Sequence, residues 1–204
     1  MAICSVSSMT SRLQSAPRNR SLDTSPVQHL VDGSMPPQSH ETRRQLSLYV
    51  PSGSAVELEA VRRIVDPVQS GLIPAHVTLC REEELALVSP SELRDRLSDR
   101  QLKPIRLYFG QPEVFSGHGI LLSCTGGQRE FQLLREHILG RTDIGTLQPH
   151  ITLAHPRNPK APGNSLANAS RLPAPMSITF GTIYLIEQKG HEPWKLLQTF
   201  HLLG

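Results

Sequence analysis

Aromatic residues are scarce in this chain and arrive late. It holds five Phe, three Tyr and one Trp in 204 residues, and the first of them is Tyr49. Residues 1–44 are instead rich in Ser, Pro and Arg. Such a segment cannot bury enough surface to offset its ordering entropy, so it is expected to be a disordered tail ahead of a folded domain over 45–204. No apolar run approaches the roughly 18 residues that span a bilayer, and residues 1–44 lack the apolar core of a secretory signal. Arg12, Arg18 and Arg20 precede the first acid, Asp23, a pattern shared with organellar transit peptides. The plainer expectation is an unstructured tail, or translation that properly begins at Met35. Cysteine is equally sparse. Cys4, Cys80 and Cys124 are scattered, with no C-x-x-C pair, which excludes a zinc ribbon and a disulfide framework and points to a reducing, cytoplasmic setting.

One-sided charge is missing too. The formal net charge is +3, but residues 1–45 carry five Arg against Asp23, Asp32 and Glu41. The domain proper is therefore close to neutral. A protein that grips long nucleic acid usually carries a basic face, and this composition argues against stable binding of that kind.

What the sequence does contain is a pattern written twice. "HVTL" at 76–79 returns as "HITL" at 150–153, 74 residues later. With average composition, two such matches among nine histidines arise by chance in roughly one sequence in a hundred. The flanking elements repeat as well. "QLSLYV" (45–50) reads as a strand, with Leu46, Leu48 and Val50 on one face. A helix follows, predicted to open on a Ser54/Glu57 capping box, to bury Leu58, Val61 and Val65, and to end at Pro67. "GILLSC" (119–124) is the second strand, followed by a helix over 128–139 that buries Phe131, Leu134 and Ile138 and ends at Gly140. Leu46 precedes His76 by 30 residues, and Ile120 precedes His150 by the same 30.

Between the copies, "SPSE" (89–92) predicts a helix capped by Ser89 and Glu92, and "IRLYF" (105–109) a strand. "REEE" (81–84) reads as a solvated loop or a helix start. After the second copy come a Pro/Asn/Gly-rich loop over 156–175 and a closing hairpin of 176–188 with 194–202.

Alternation along a strand places His76 and Thr78 on one face and Val77 and Leu79 on the other; His150 and Thr152 oppose Ile151 and Leu153 in the same way. Each apolar pair anchors its strand. Each polar pair offers an imidazole and a hydroxyl about 7 Å apart. Two imidazoles across one phosphate form a general acid and a general base, because histidine populates both protonation states near neutral pH. The threonine hydroxyls would hold the non-bridging oxygens. The near-symmetry of the pair leaves open which histidine is base and which is acid. No metal or other cofactor is expected. His150 and His155 fall on opposite faces, while His76 and Cys80 lie about 13 Å apart. Arg157, in the loop leaving the second copy, and Trp194 are possible substrate contacts, the first by clamping phosphate and the second by stacking on a base.

These paired strands, in this order and chain length, resemble the two-histidine (2H) phosphoesterase superfamily, which includes 2'-5' RNA ligase-like proteins and cyclic phosphodiesterases. The resemblance covers roughly residues 45–203. It implies an α+β fold of two lobes related by a pseudo-twofold, with antiparallel sheets flanked by helices around a central cleft. It also implies catalysis by His76 and His150, with phosphate bound by Thr78 and Thr152. The favoured expectation is a metal-independent phosphodiesterase that opens a 2',3'-cyclic phosphate or a 2'-5' linkage in a nucleotide or short oligonucleotide. The alternatives are a 2'-5' RNA ligase, a hydrolase of cyclic signalling nucleotides, and a non-catalytic nucleotide-binding module. A monomer without membrane attachment is expected.

Overall fold

The computed structural model describes residues 42–203. The expected tail and its start-site or transit readings lie outside the described residues as far as residue 41. Thr42, Arg43 and Arg44, however, already belong to the first strand, β1 (Thr42–Tyr49). Alternating apolar residues and β-branched partners build eight strands in two antiparallel sheets. The first sheet runs β2 (His76–Cys80), β1, β7 (Thr182–Lys189), β8 (Lys195–His201). The second runs β5 (His150–Ala154), β4 (Gly119–Gly126), β3 (Ile105–Phe115), β6 (Met176–Phe180).

The repeated pattern folds into a repeated register. Tyr49 faces His76, Leu48 faces Val77 and Ser47 faces Thr78; then a bulge intervenes before Leu46 meets Cys80. Seventy-four positions on, Ser123 faces His150, Leu122 faces Ile151 and Leu121 faces Thr152, with the same bulge before Ile120 meets Ala154. Both histidine-bearing strands are edge strands, and they pack against each other. The helices cross over. Helix α1 (Ser52–Val65) of the first half packs on β5, and α5 (Gln128–Leu139) of the second half packs on β2. Their buried stripes, Leu58, Val61 and Val65 on α1 and Phe131, Leu134 and Ile138 on α5, join Leu46, Leu48, Leu122 and Ile151 in one continuous core.

Several local expectations are corrected. Helix α1 begins at Ser52, directly after Pro51, and no Ser54/Glu57 box caps it; the amide of Ser54 donates to the Pro51 carbonyl. The reason is proximity to the sheet: Val50 still bonds Ala75 across the strands, so the helix has to start at once. Pro67 ends α1 but also opens α2 (Pro67–Leu72), for which the Asp66 side chain accepts the Gln69 amide. The "REEE" run gives a short α3 (Glu82–Leu85), and Glu84 is not merely solvated, since it pairs with the buried Arg135. Helix α4 (Pro90–Leu97) does carry the Ser89/Glu92 box. Residues 176–188 are not one strand: the chain leaves the second sheet at Phe180, turns at Gly181 and joins the first sheet at Thr182. The long loop contains α6 (Leu166–Ala169), capped by Ser165, and is tied to the β3–β4 turn, where the Nε2 of His118 lies 2.8 Å from the carbonyl of Asn158.

Candidate functional site

An edge strand leaves backbone groups unpaired, and here the opposite half of the molecule satisfies them. The Arg135 guanidinium, wholly buried on α5, donates through Nε to the Leu79 carbonyl of β2 at 2.9 Å. Asp66, buried at the start of α2, accepts the His155 amide just past β5 at 2.8 Å, and the Asn158 side chain at 2.8 Å. Each half thus grips the other's histidine strand with a buried charge. Alternation then sets the side chains: Val77, Leu79, Ile151 and Leu153 are fully buried, while His76, Thr78, His150 and Thr152 are half-buried on the other face.

The two imidazoles are held alike. Nδ1 of His76 lies 2.8 Å from the Pro74 carbonyl, and Nδ1 of His150 lies 3.0 Å from the Gln148 carbonyl. A carbonyl can only accept, so each Nδ1 carries the hydrogen and each Nε2 is left as the free basic nitrogen. The rings are near enough that charge on His150 disfavours charge on His76. Burial is the larger cause, and with the Arg62 cation it brings the His76 pKa down to about 4. Arg62 is itself buried, bonded to the carbonyl of Ile73 at 2.8 Å and to Glu59.

Beside His76 stands Tyr49, edge-on at 6.4 Å between ring centroids, with Tyr184 stacked on it at 4.5 Å. Burial, and then the neighbouring Tyr184, raise the Tyr49 phenol to about 12, so it remains a hydrogen-bond donor at neutral pH. Beside His150 the equivalent residue is Ser123, whose hydroxyl donates to the Glu113 carboxylate.

Arg157 lies beside His155, whose Nδ1 accepts the Arg157 amide at 3.2 Å, and Trp194 lies beside Arg43. The Arg43 guanidinium lies 5.7 Å from the Trp194 ring, and both Arg43 and Arg157 act on His155, whose pKa falls mainly through burial. Trp194 also donates its amide to the Leu72 carbonyl at the end of α2. Among the described residues, no three His, Cys, Asp or Glu side chains converge as a metal site would require.

Sequence reasoning missed Asp66, Arg62 and Arg135. A signal was present for the two arginines: each occupies an inward position, in the stripes 58-61-62-65 and 131-134-135-138. Tyr184, Ser123 and Glu113 carried no sequence signal, because strand register alone brings them beside the histidines.

Comparison with known families fits this arrangement. The sequence profile of the 2'-5' RNA ligase superfamily matches residues 50–192. The chain belongs to this superfamily. No curated protein sequence matches it. Among solved structures, E. coli LigT in complex with NADP+ is 16% identical, with a TM-score of 0.53 over 81% of this chain and 100% of that one. The LigT complex with 3'-AMP gives 16% and 0.53, over 80% and 99%. TT0787 of Thermus thermophilus is 24% identical over 79% and 98%, with a TM-score of 0.49. The superfamily member described here therefore shares the two-sheet α+β fold of LigT, and its family is one of phosphoesterases.

Proposed function

We propose that this protein is a metal-independent phosphodiesterase that hydrolyses a 2',3'-cyclic phosphate, or a 2'-5' linkage, in a nucleotide or short oligonucleotide. The observation that carries the reading is the duplicated imidazole: two histidines on adjoining edge strands, each with Nδ1 tied to the carbonyl two residues earlier and Nε2 free. A nucleophilic water gives its proton to one Nε2 as its oxygen bonds to phosphorus. The other imidazole, protonated, delivers a proton to the departing ribose oxygen. His76 is neutral at physiological pH, which suits the base and leaves the donor's part to His150. Thr78 and Thr152 hydrogen-bond the non-bridging oxygens and keep the phosphorus in line. The phenol of Tyr49 supplies a further donor beside His76. Nucleotides are also what the LigT complexes with NADP+ and 3'-AMP contain. The free thiols of Cys80 and Cys124 favour a reducing compartment, the cytoplasm.

The test is incubation of the chelator-treated protein with a mixture of 2',3'-cyclic, 3',5'-cyclic and 2'-5'-linked nucleotides, with products identified by mass. Conversion of a 2',3'-cyclic phosphate to a monoester, with gain of one water, is expected. Exclusive opening of 3',5'-cyclic substrates would place the enzyme among hydrolases of signalling nucleotides. Joining of oligonucleotide ends would make it a ligase, and tight binding without conversion a binding module. Activity that returns only with added divalent metal would contradict the mechanism.

A further inference from the structure

The two halves are related by the 74-residue repeat, so the positions that share a sheet face with the histidines can be compared place by place, and one pair differs sharply. Directly paired residues of an antiparallel sheet share a face. In the first sheet Thr78 pairs with Ser47, which pairs with Tyr184. In the second, Thr152 pairs with Leu121, which pairs with Glu113. Glu113 therefore occupies in one half the place that Tyr184 occupies in the other. The eight strands hold two carboxylates, Glu113 and Glu187. Glu187 lies on the opposite face of its sheet, bound to Arg44 at 2.9 Å. Glu113 is exposed, and the hydroxyl of Ser123, the residue opposite His150, donates to it. A fixed negative charge thus stands two strand spacings, about 10 Å, from Thr152.

Resting on the phosphodiesterase reading above, we propose that Glu113 is a specificity-determining residue that selects a nucleoside cyclic phosphate with an uncharged far end. A phosphoryl group between the histidines leaves the rest of its nucleoside to extend over one of the two sheets. Over the first sheet it meets the Tyr49/Tyr184 stack; over the second it meets a carboxylate. A carboxylate accepts a hydrogen bond from a sugar hydroxyl and repels a second phosphate placed there. Ser123 aims the carboxylate and couples its position to the strand that bears His150. The substrate class this favours is a 2',3'-cyclic phosphate whose 5' end is a free hydroxyl, rather than one phosphorylated at both ends.

The test compares kcat/KM for adenosine 2',3'-cyclic phosphate and its 5'-phosphorylated counterpart, in the wild type, Glu113→Gln and Glu113→Ala. The wild type should favour the 5'-hydroxyl substrate by roughly tenfold at low salt, and the preference should shrink as ionic strength rises. Glu113→Gln, which keeps shape but not charge, should narrow the ratio at least about fivefold, chiefly by improving the doubly phosphorylated substrate. Glu113→Ala should narrow it similarly and also slow the 5'-hydroxyl substrate. Glu113 is exposed, so both variants should keep the circular dichroism spectrum of the wild type. Turnover with an unchanged ratio in both variants would overturn this inference and leave the phosphodiesterase reading standing. Turnover of neither substrate by the wild type would overturn both.

Discussion

His76 is a histidine surrounded closely enough that protonating it is costly. Its pKa of about 4 lies below the ordinary 6.5, because burial, Arg62 and His150 all oppose a charge there. The sign of the consequence is fixed. The unfolded chain takes up a proton at His76 near pH 6.5 and the folded one only near 4, so stability is complete above about 6.5 and declines as pH falls towards 4. Thermal midpoints measured across that window should fall for the wild type and fall less for His76→Gln, whose side chain does not titrate. An NMR titration should place the His76 ring resonance near pH 4; an inflection near 6.5 would show that the ring is open to water. At the same scale, Thr78→Val and Thr152→Val should each lower kcat about 10- to 100-fold, while folding survives because both side chains are only half-buried.

At the scale of elements, the decisive contacts run from helix to opposite edge strand. Arg135 is fully buried and serves the Leu79 carbonyl, the Gly145 carbonyl, Gln132 and Glu84. Removing it strands Glu84 and the carbonyls, so Arg135→Ala should cost about 3 kcal/mol, read from the urea midpoint. A loss under about 1 kcal/mol would show that β2 is held otherwise. Much of this layer was legible in sequence, because its cause is periodicity. The apolar stripes of α1 and α5 came out as the sequence predicts, as did the Ser89/Glu92 box and the alternation of both histidine strands. The misplaced start of α1 and the undivided strand over 176–188 share another cause. Each boundary is set by where the sheet ends, at Pro51 and Gly181, and not by the local residues alone. Arg62 and Arg135 went unread because a charge on an inward stripe is legible only once its distant partners are known.

For the whole molecule, the governing feature is a repeat that places two imidazoles, one from each half, on adjoining edges. The duplication was visible in the sequence as a constant offset. The differences between the halves, Tyr49 and Tyr184 on one side against Ser123 and Glu113 on the other, became visible only through strand register. A pair acting on one phosphorus works as a unit, so its members should not contribute independently. The central claim is therefore tested most directly by kcat for a 2',3'-cyclic nucleotide in the wild type, His76→Ala, His150→Ala and the double variant, all in chelator. Each single variant should lose about a thousandfold, and the double variant little more than either single one. A single variant that retains a tenth of the activity, or losses that multiply in the double variant, would contradict a shared acid–base pair.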